Sequence, residues 1–386
     1  MLFTLEALNA REGDCLLLMY GTAKRPRVVL IDGGPRVTYA ESLLPRLTAL
    51  REQLGYGDDP LPIELMVVTH VDSDHIGGAL ALTSALRAAK GVEGPMVTIK
   101  ELWHNSFDDA LGRAAVADAV AFVDALPDSD RKGITVSVGE GRTLREDADA
   151  LGISVNAEFA GLVARGDTGG AEIPCGDGLT LTVLGPARAQ LEALQREWEA
   201  ARSRAKKGDG RTAGLALDSS EYNLGSITML AECGERTMLL AGDARGDHVV
   251  AGLEAAGKLP AGGTMFVDVF KLPHHASCRN VTPELLRRVI ADTYVISANG
   301  KHGNPDFETL ERIEAARAGA AYTVVCTFPE RAYAKVEGDS REAEERREAL
   351  KKFDAWARRQ PDDVKFVYRE ADALGVTLDL GDESLA

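Results

Sequence analysis

The stretch IELMVVTHVDSDHIGGALALTSALRAA, residues 63–89, runs from an apolar strand into a polar cluster, then through a glycine pair into a helix. Chemistry often sits at such a strand end, where a rigid scaffold aims loop side chains. His70, Asp72, Asp74 and His75 place four potential metal ligands within six residues. In an extended or turning backbone, residues 70, 72 and 74 face one side, so imidazoles and carboxylates converge on one volume. A lone His or Asp would read as part of a hydrated turn. Four such groups meeting without a cation would be poorly compensated. Nitrogen and oxygen donors without sulfur suit Zn(II), and the two carboxylates also suit Mn(II) or Fe(II).

Outward from this point the chain alternates strand and helix. FTLEAL (3–8), CLLLMYG (15–21) and PRVVLIDGG (26–34) read as paired strands closed by turn residues, and ESLLPRLTALREQLG (41–55) as a helix. VTIKELWH (97–104) is a further strand, followed by an Ala-rich helical region near 109–126. Strand character resumes at 178–186, 226–244, 266–275 and 291–300. The segment 340–360 predicts a charged helix, solvated on one face and packed through Leu350, Phe353 and Trp356. No internal repeat is visible.

The 386 residues, 45% hydrophobic and 27% charged, describe a folded chain with ample material for a core. No apolar run approaches the ~20 residues of a bilayer crossing, and the N-terminus turns polar before a signal-peptide core could form, so a cytoplasmic location is expected. Five cysteines without CxxC spacing, Cys15, Cys175, Cys233, Cys278 and Cys326, argue against a disulfide framework or a thiolate zinc site. Cys278 follows His275 by three residues, but nothing around it stabilises a thiolate. The formal charge of -16 excludes a general electrostatic grip on nucleic acid. A local groove remains open: Arg202, Arg204, Lys206, Lys207 and Arg211 form a cationic loop that either meets phosphates or serves as a soluble linker. Gly33-Gly34 after VLID is no dinucleotide fingerprint, since no GxGxxG follows.

THVDSDHIGG resembles the HxDxDH form of the metallo-β-lactamase fold signature, whose more usual version is HxHxDH. Further pieces occur in that family's order: EGD near the start, VLIDGG, Asn223 to Ser226, LLAGDA with Asp243, KLPHHAS with His274-His275, and the loop Gly300 to Pro305. This set is similar to the soluble hydrolase domain of competence-type DNA-uptake channels and to phosphocholine esterases of the same fold. The resemblance implies an α+β, four-layer αββα sandwich: a hydrolase domain over 1–315 with a helical insertion at about 105–175, and a C-terminal helical extension over 316–386.

It also implies two divalent metal ions, Zn(II) or Mn(II). His70 and Asp72 would hold one, Asp74 and His75 the other; Asp243 would bridge, and one of His274 and His275 would complete the second site. The remaining histidine would act as acid or substrate contact, with His275 and Asp74 as the catalytic candidates. His104 is a pocket wall, an extra ligand or a strand-end cap; Asn223, Ser226 and His302 are candidate substrate contacts, and Asp32 would hold the metal-binding loop. Asp72 in place of a histidine, and the absence of a middle histidine between His104 and Asp243, leave one site short of nitrogen.

Such a site implies hydrolysis of a phosphodiester substrate, whether nucleic acid, nucleotide or phospho-ester. Lactone, thioester or amide hydrolysis is the alternative within the fold. A rival from another class is a metal-bound effector module that meets a protein partner through the C-terminal extension.

Overall fold

The computed structural model describes residues 1–91, 94–106, 128–159, 161–166, 170–192 and 225–385. Within them the backbone forms two sheets. The first has the order β15-β1-β2-β3-β4-β5-β6, built from β1 (Leu2–Leu8), β2 (Leu16–Thr22), β3 (Arg25–Ile31), β4 (Leu61–Val68), β5 (Val97–His104), β6 (Ser154–Val155) and β15 (Gly375–Asp379). The second has the order β14-β13-β12-β11-β10-β9-β8-β7. Its strands are β7 (Ala171–Gly176), β8 (Leu179–Gly185), β9 (Thr228–Cys233), β10 (Arg236–Leu240), β11 (Met265–Lys271), β12 (Val289–Ile296), β13 (Tyr322–Cys326) and β14 (Val364–Tyr368). Each sheet is antiparallel at one end and parallel at the other, the change falling at β3/β4 and at β10/β11.

Period-two alternation decides which residues fill each layer. In β1, Phe3, Leu5 and Ala7 point to the interior between the sheets and meet Leu181, Met229, Val269 and Val295 of the second sheet. The polar alternates Thr4 and Glu6 are satisfied elsewhere, Thr4 Oγ1 donating to Asp379 at 2.6 Å and Arg46 Nε reaching Glu6 at 2.7 Å. The outer face of the first sheet carries the helices Leu44–Gln53 and Ser73–Ala89 through Leu47, Leu50, Ile76 and Leu82. On the second sheet, Leu253, Leu285, Leu310 and Phe353 pack down from four helices. Four layers result, helix, sheet, sheet, helix.

In the insertion range, helix Asp128–Leu151 packs through Leu144 and Ala148 on the first sheet's helical side, whereas the Ala-rich region expected near 109–126 lies outside the described residues. The C-terminal segment carries the expected helix, Arg341–Ala357, with Leu350, Phe353 and Trp356 buried. It also adds strands to both sheets: β13 and β14 extend the second, and β15 closes on β1 in the first. No helix among the described residues is long and apolar enough to cross a membrane.

Candidate metal centre

The parallel strands end together at one edge of the sandwich, and the loops leaving β3, β4, β10, β11 and β12 bring the polar cluster together there. The extended alternation expected over 70–74 stops early, because a helix begins at Ser73. Convergence is achieved instead by a strand end followed by the first helical turn. Asp72 occupies the N-cap position but its carboxylate makes no capping bond; it stands 3.6 Å from His70 Nε2. Backbone bonds hold the turn against the loop after β3, with Gly33 N donating to His75 O at 2.7 Å and Gly78 N to Gly34 O at 2.9 Å. A Cβ on Gly78 would sit 2.0 Å from Gly33 O, so this approach is possible only for paired glycines. That is the structural use of the two GG pairs.

Hydrogen bonds fix which nitrogen of each histidine is free. Asp32 Oδ1 accepts from Thr69 N at 2.7 Å, while its Oδ2 accepts from Thr69 Oγ1 and from His75 Nδ1, both at 2.8 Å. With its proton spent on Asp32, Thr69 Oγ1 accepts from His70 Nδ1 at 3.0 Å. His275 Nδ1 donates to the carbonyl of Ser297 at 3.0 Å. In all three rings Nδ1 is occupied by a hydrogen bond, so in the neutral form a ligand needs, the proton sits on Nδ1 and the Nε2 lone pair is aimed inward.

Among the described residues these three Nε2 atoms and Asp243 Oδ1 are buried without a hydrogen-bond partner. His75 Nε2 is 3.2 Å from Asp243 Oδ1 and His70 Nε2 is 3.7 Å from Asp243 Oδ2. His275 Nε2 is 3.5 Å from Asp74 Oδ2 and 3.9 Å from Asp243 Oδ2. Among the described residues three ligand-competent groups lie here, His70 with His75 and Asp243, Asp74 with His75 and His275, and Asp14 and Asp32 with His75. His274 lies at the solvent side, 31% exposed, with Nε2 3.8 Å from Asp243 Oδ2. His274, His275 and Ala276 all hold left-handed backbone, φ 51°, 54° and 67°, a conformation costly for non-glycine residues and typical of functional loops.

Electrostatics points the same way. Burial would raise the Asp243 pKa, yet His75 and His275 hold it well below the carboxylate range. Burial alone would lower His275, but Asp243, Asp14 and Asp74 push it up to about 9. A field this favourable to positive charge, with acceptor atoms facing inward and no donor opposite them, fits divalent cations with mixed nitrogen and oxygen donors.

Several residues have contacts that differ from the expected ones. Ser226 is buried, and its hydroxyl accepts from Asp243 N at 3.0 Å, so its observed contact is with the Asp243 loop rather than with a substrate. His104 is fully buried beneath the site, its backbone tied to Asn156, and burial pushes it down to about 4. In this arrangement neither residue has surface to offer a substrate. His302 is exposed on a short turn, Lys301–Gly303, while Asn223 and the cationic loop from Arg202 to Arg211 lie outside the described residues. The five cysteines are unpaired thiols.

Two residues without an assigned role emerge beneath the cluster. Asp14, of the EGD triplet, and Lys271, at the end of β11, form a buried ion pair, and Asp14 Oδ1 lies 3.6 Å from His275 Nδ1. The signal for Lys271 was a lone cation ending the apolar strand MFVDVFK.

Residues 26–207 match the family model described as the metallo-beta-lactamase superfamily, and the two sheets with their helices are consistent with that fold. A solved structure of a CmlA beta-hydroxylase mutant is similar over 97% of this chain and 54% of that one, at 14% identity and a TM-score of 0.37. The chain therefore spans about half the length of that structure. No curated protein matches the chain.

Proposed function

We infer that this chain, which carries a metallo-beta-lactamase superfamily domain, is a metal-dependent hydrolase acting on a phosphodiester. The observation that carries the hydrolase reading is the set of buried, unpartnered acceptors, Nε2 of His70, His75 and His275 with Oδ1 of Asp243. His70, Asp72 and Asp243 would hold one divalent ion, and Asp74, His75, His275 and Asp243 the other, as Zn(II) or Mn(II). When bound, such ions polarise the attacked ester and make water acidic enough to attack near neutral pH.

The chain's own residues do the rest. Asp32 and Thr69 orient His70 and His75, and the Ser297 carbonyl orients His275. His274, reachable from solvent, is placed to give a proton to the leaving group or to contact the phosphate. His302 stands on the turn leading to Asn304, whose side-chain amide lies 3.5 Å from the His274 carbonyl, and is the second candidate contact. Phosphodiester chemistry is favoured over acyl chemistry by the oxygen-rich donor set, with Asp72, Asp74 and Asp243, and by the sequence resemblance to the DNA-uptake and phosphocholine-esterase domains.

The deciding experiment combines elemental analysis of gently purified protein with parallel assays on bis-p-nitrophenyl phosphate, a lactone and a thioester. Bound Zn or Mn with turnover of the phosphodiester is the expected result. Turnover of the acyl substrates alone would sink the phosphodiester assignment. No transition metal, with no activity gained on adding Mn(II) or Zn(II), would sink the hydrolase.

A further inference from the structure

A cavity of about 520 Å³ lies beside the metal centre, between the loops after β1, β12 and β13 and the helix Arg341–Ala357. Its lining adjoins the supports of the centre along the chain, Glu12 beside Gly13 and Asp14, and Ala298 beside Ser297. Ser297, whose carbonyl orients His275, donates its hydroxyl to Gly13 O at 2.7 Å, next to Asp14 on one side and to the cavity-lining Glu12 on the other. The far wall comes from the C-terminal segment, with Phe328, Arg346 and Arg369. Gly300, at φ 88°, fixes that wall: a Cβ there would fall 2.6 Å from Arg346 O and 2.9 Å from Leu350 Cγ. The helix backbone is thus seated directly on the loop that also carries Asn299 and His302.

The charges lining this cavity are unequally matched. Lys301 is tied to Glu12 at 2.7 Å and Arg11 to Glu41 at 3.0 Å. Arg369 is nearly buried, and its Nε and Nη1 donate only to carbonyls, those of Thr327, Glu370, Ala371 and Ala373 at 2.7–3.0 Å. Among the described residues no carboxylate stands within ion-pair distance of it. Arg346 is half-buried on the lining, and among the described residues its Nε has no hydrogen-bond partner. Glu337 and Glu342, the remaining acids of the lining, are exposed to solvent. The lining thus carries five basic side chains, Arg11, Lys301, Lys335, Arg346 and Arg369, against three acidic ones, Glu12, Glu337 and Glu342, and such an excess of positive charge around a cavity favours an anion.

We propose that this cavity is a subsite for an oxyanion, a phosphate or carboxylate, on the part of the substrate that is not attacked. Arg346 is the guanidinium of the lining that meets it, and Arg369 supplies fixed positive charge behind. Its volume suits a small-molecule group, and a guanidinium fork matches either anion. The proposal rests on the hydrolase reading only in taking the attacked bond to lie at the neighbouring metal centre. The C-terminal segment thereby becomes the specificity element of the enzyme.

The test is calorimetric titration of the full-length protein, as purified and after loading with Mn(II), with inorganic phosphate and with succinate. At least one anion should bind, and Arg346→Gln should weaken it tenfold or more with Arg346→Lys intermediate and metal content unchanged. The tighter of the two anions identifies phosphate or carboxylate. On the wild-type protein, the same anion should protect Arg346 from phenylglyoxal, read by peptide mass spectrometry, which keeps the question open to decision if the variants do not fold. Binding of neither anion, or equal binding by Arg346→Gln without protection of Arg346, overturns the proposal. Because no turnover is needed, loss of the hydrolase reading would leave this result intact.

Discussion

Replacing Lys271 by Met tests the internal support of the centre. The ammonium and the Asp14 carboxylate are almost fully buried, 1% and 2% exposed at the side chain, and are 257 residues apart in sequence. Among the described residues Asp14 Oδ1 already lacks a hydrogen-bond partner. Removing Lys271 strands a buried carboxylate, a class of change that costs about 3–5 kcal/mol. Its pH dependence has a definite sign. In the wild type, burial would raise Asp14, but Lys271 holds it below the carboxylate range, so its stabilising contribution is present above an unfolded pKa of ~3.9. In the variant burial is no longer opposed by Lys271, the folded pKa rises, and the deficit should grow as pH increases above ~4. Urea unfolding at pH 5 and pH 7 reads this directly. The double variant Lys271→Met with Asp14→Leu should recover most of the loss, because an apolar pair of similar volume replaces the ions. A single variant less than ~1 kcal/mol below wild type, or a double variant no better than the single, would refute this account.

Gly78→Ala should lose several kcal/mol or fail to accumulate, since its Cβ meets Gly33 O at 2.0 Å, whereas Gly94→Ala, with open space around it, should stay within about 0.5 kcal/mol in the same melt. His104 is held neutral by burial, with a folded pKa of about 4 against ~6.5 unfolded, so its contribution is complete above pH 6.5 and falls away toward pH 4, by the order of 3 kcal/mol. His104→Leu should flatten that part of the stability profile, and an unchanged slope would contradict the assignment. His275→Ala should lose bound metal, whereas His274→Ala should keep more of it and lose rate; elemental analysis beside kinetics separates the two, and equal metal loss in both would place His274 among the ligands.

The strands around the centre were legible because each is a long apolar run with clear punctuation, as in IELMVV before His70 or TMLLAGDA before and through Asp243. The ligand cluster was legible from density alone. The shape of its backbone was not: Asp72 and Asp74 lie on either side of a helix start, which side-chain alternation cannot reveal. Adjacent histidines are equivalent in sequence, and only the left-handed turn at 274–276 sends His275 inward toward Asp74 and leaves His274 at the surface. The Asp14–Lys271 pair had no local signature at all. VKFVY and GVTLD, strands β14 and β15, were passed over because each is short, lies beyond the charged helix and is half exposed along its length.

β15 has a consequence for the birth of the molecule. Ala7 pairs with Val376, so the edge of the first sheet is finished by a segment made only after every strand of the second sheet. At ~5–20 residues per second, a ribosome needs on the order of 20–75 s to deliver β15 after β1 has emerged. During that interval β1 offers an unpaired backbone rim, the kind of surface on which a second nascent chain can add a strand. Slower elongation through the charged helix would lengthen the exposure, and holdase chaperones that mask β1 should raise soluble yield more than agents that act on the finished protein.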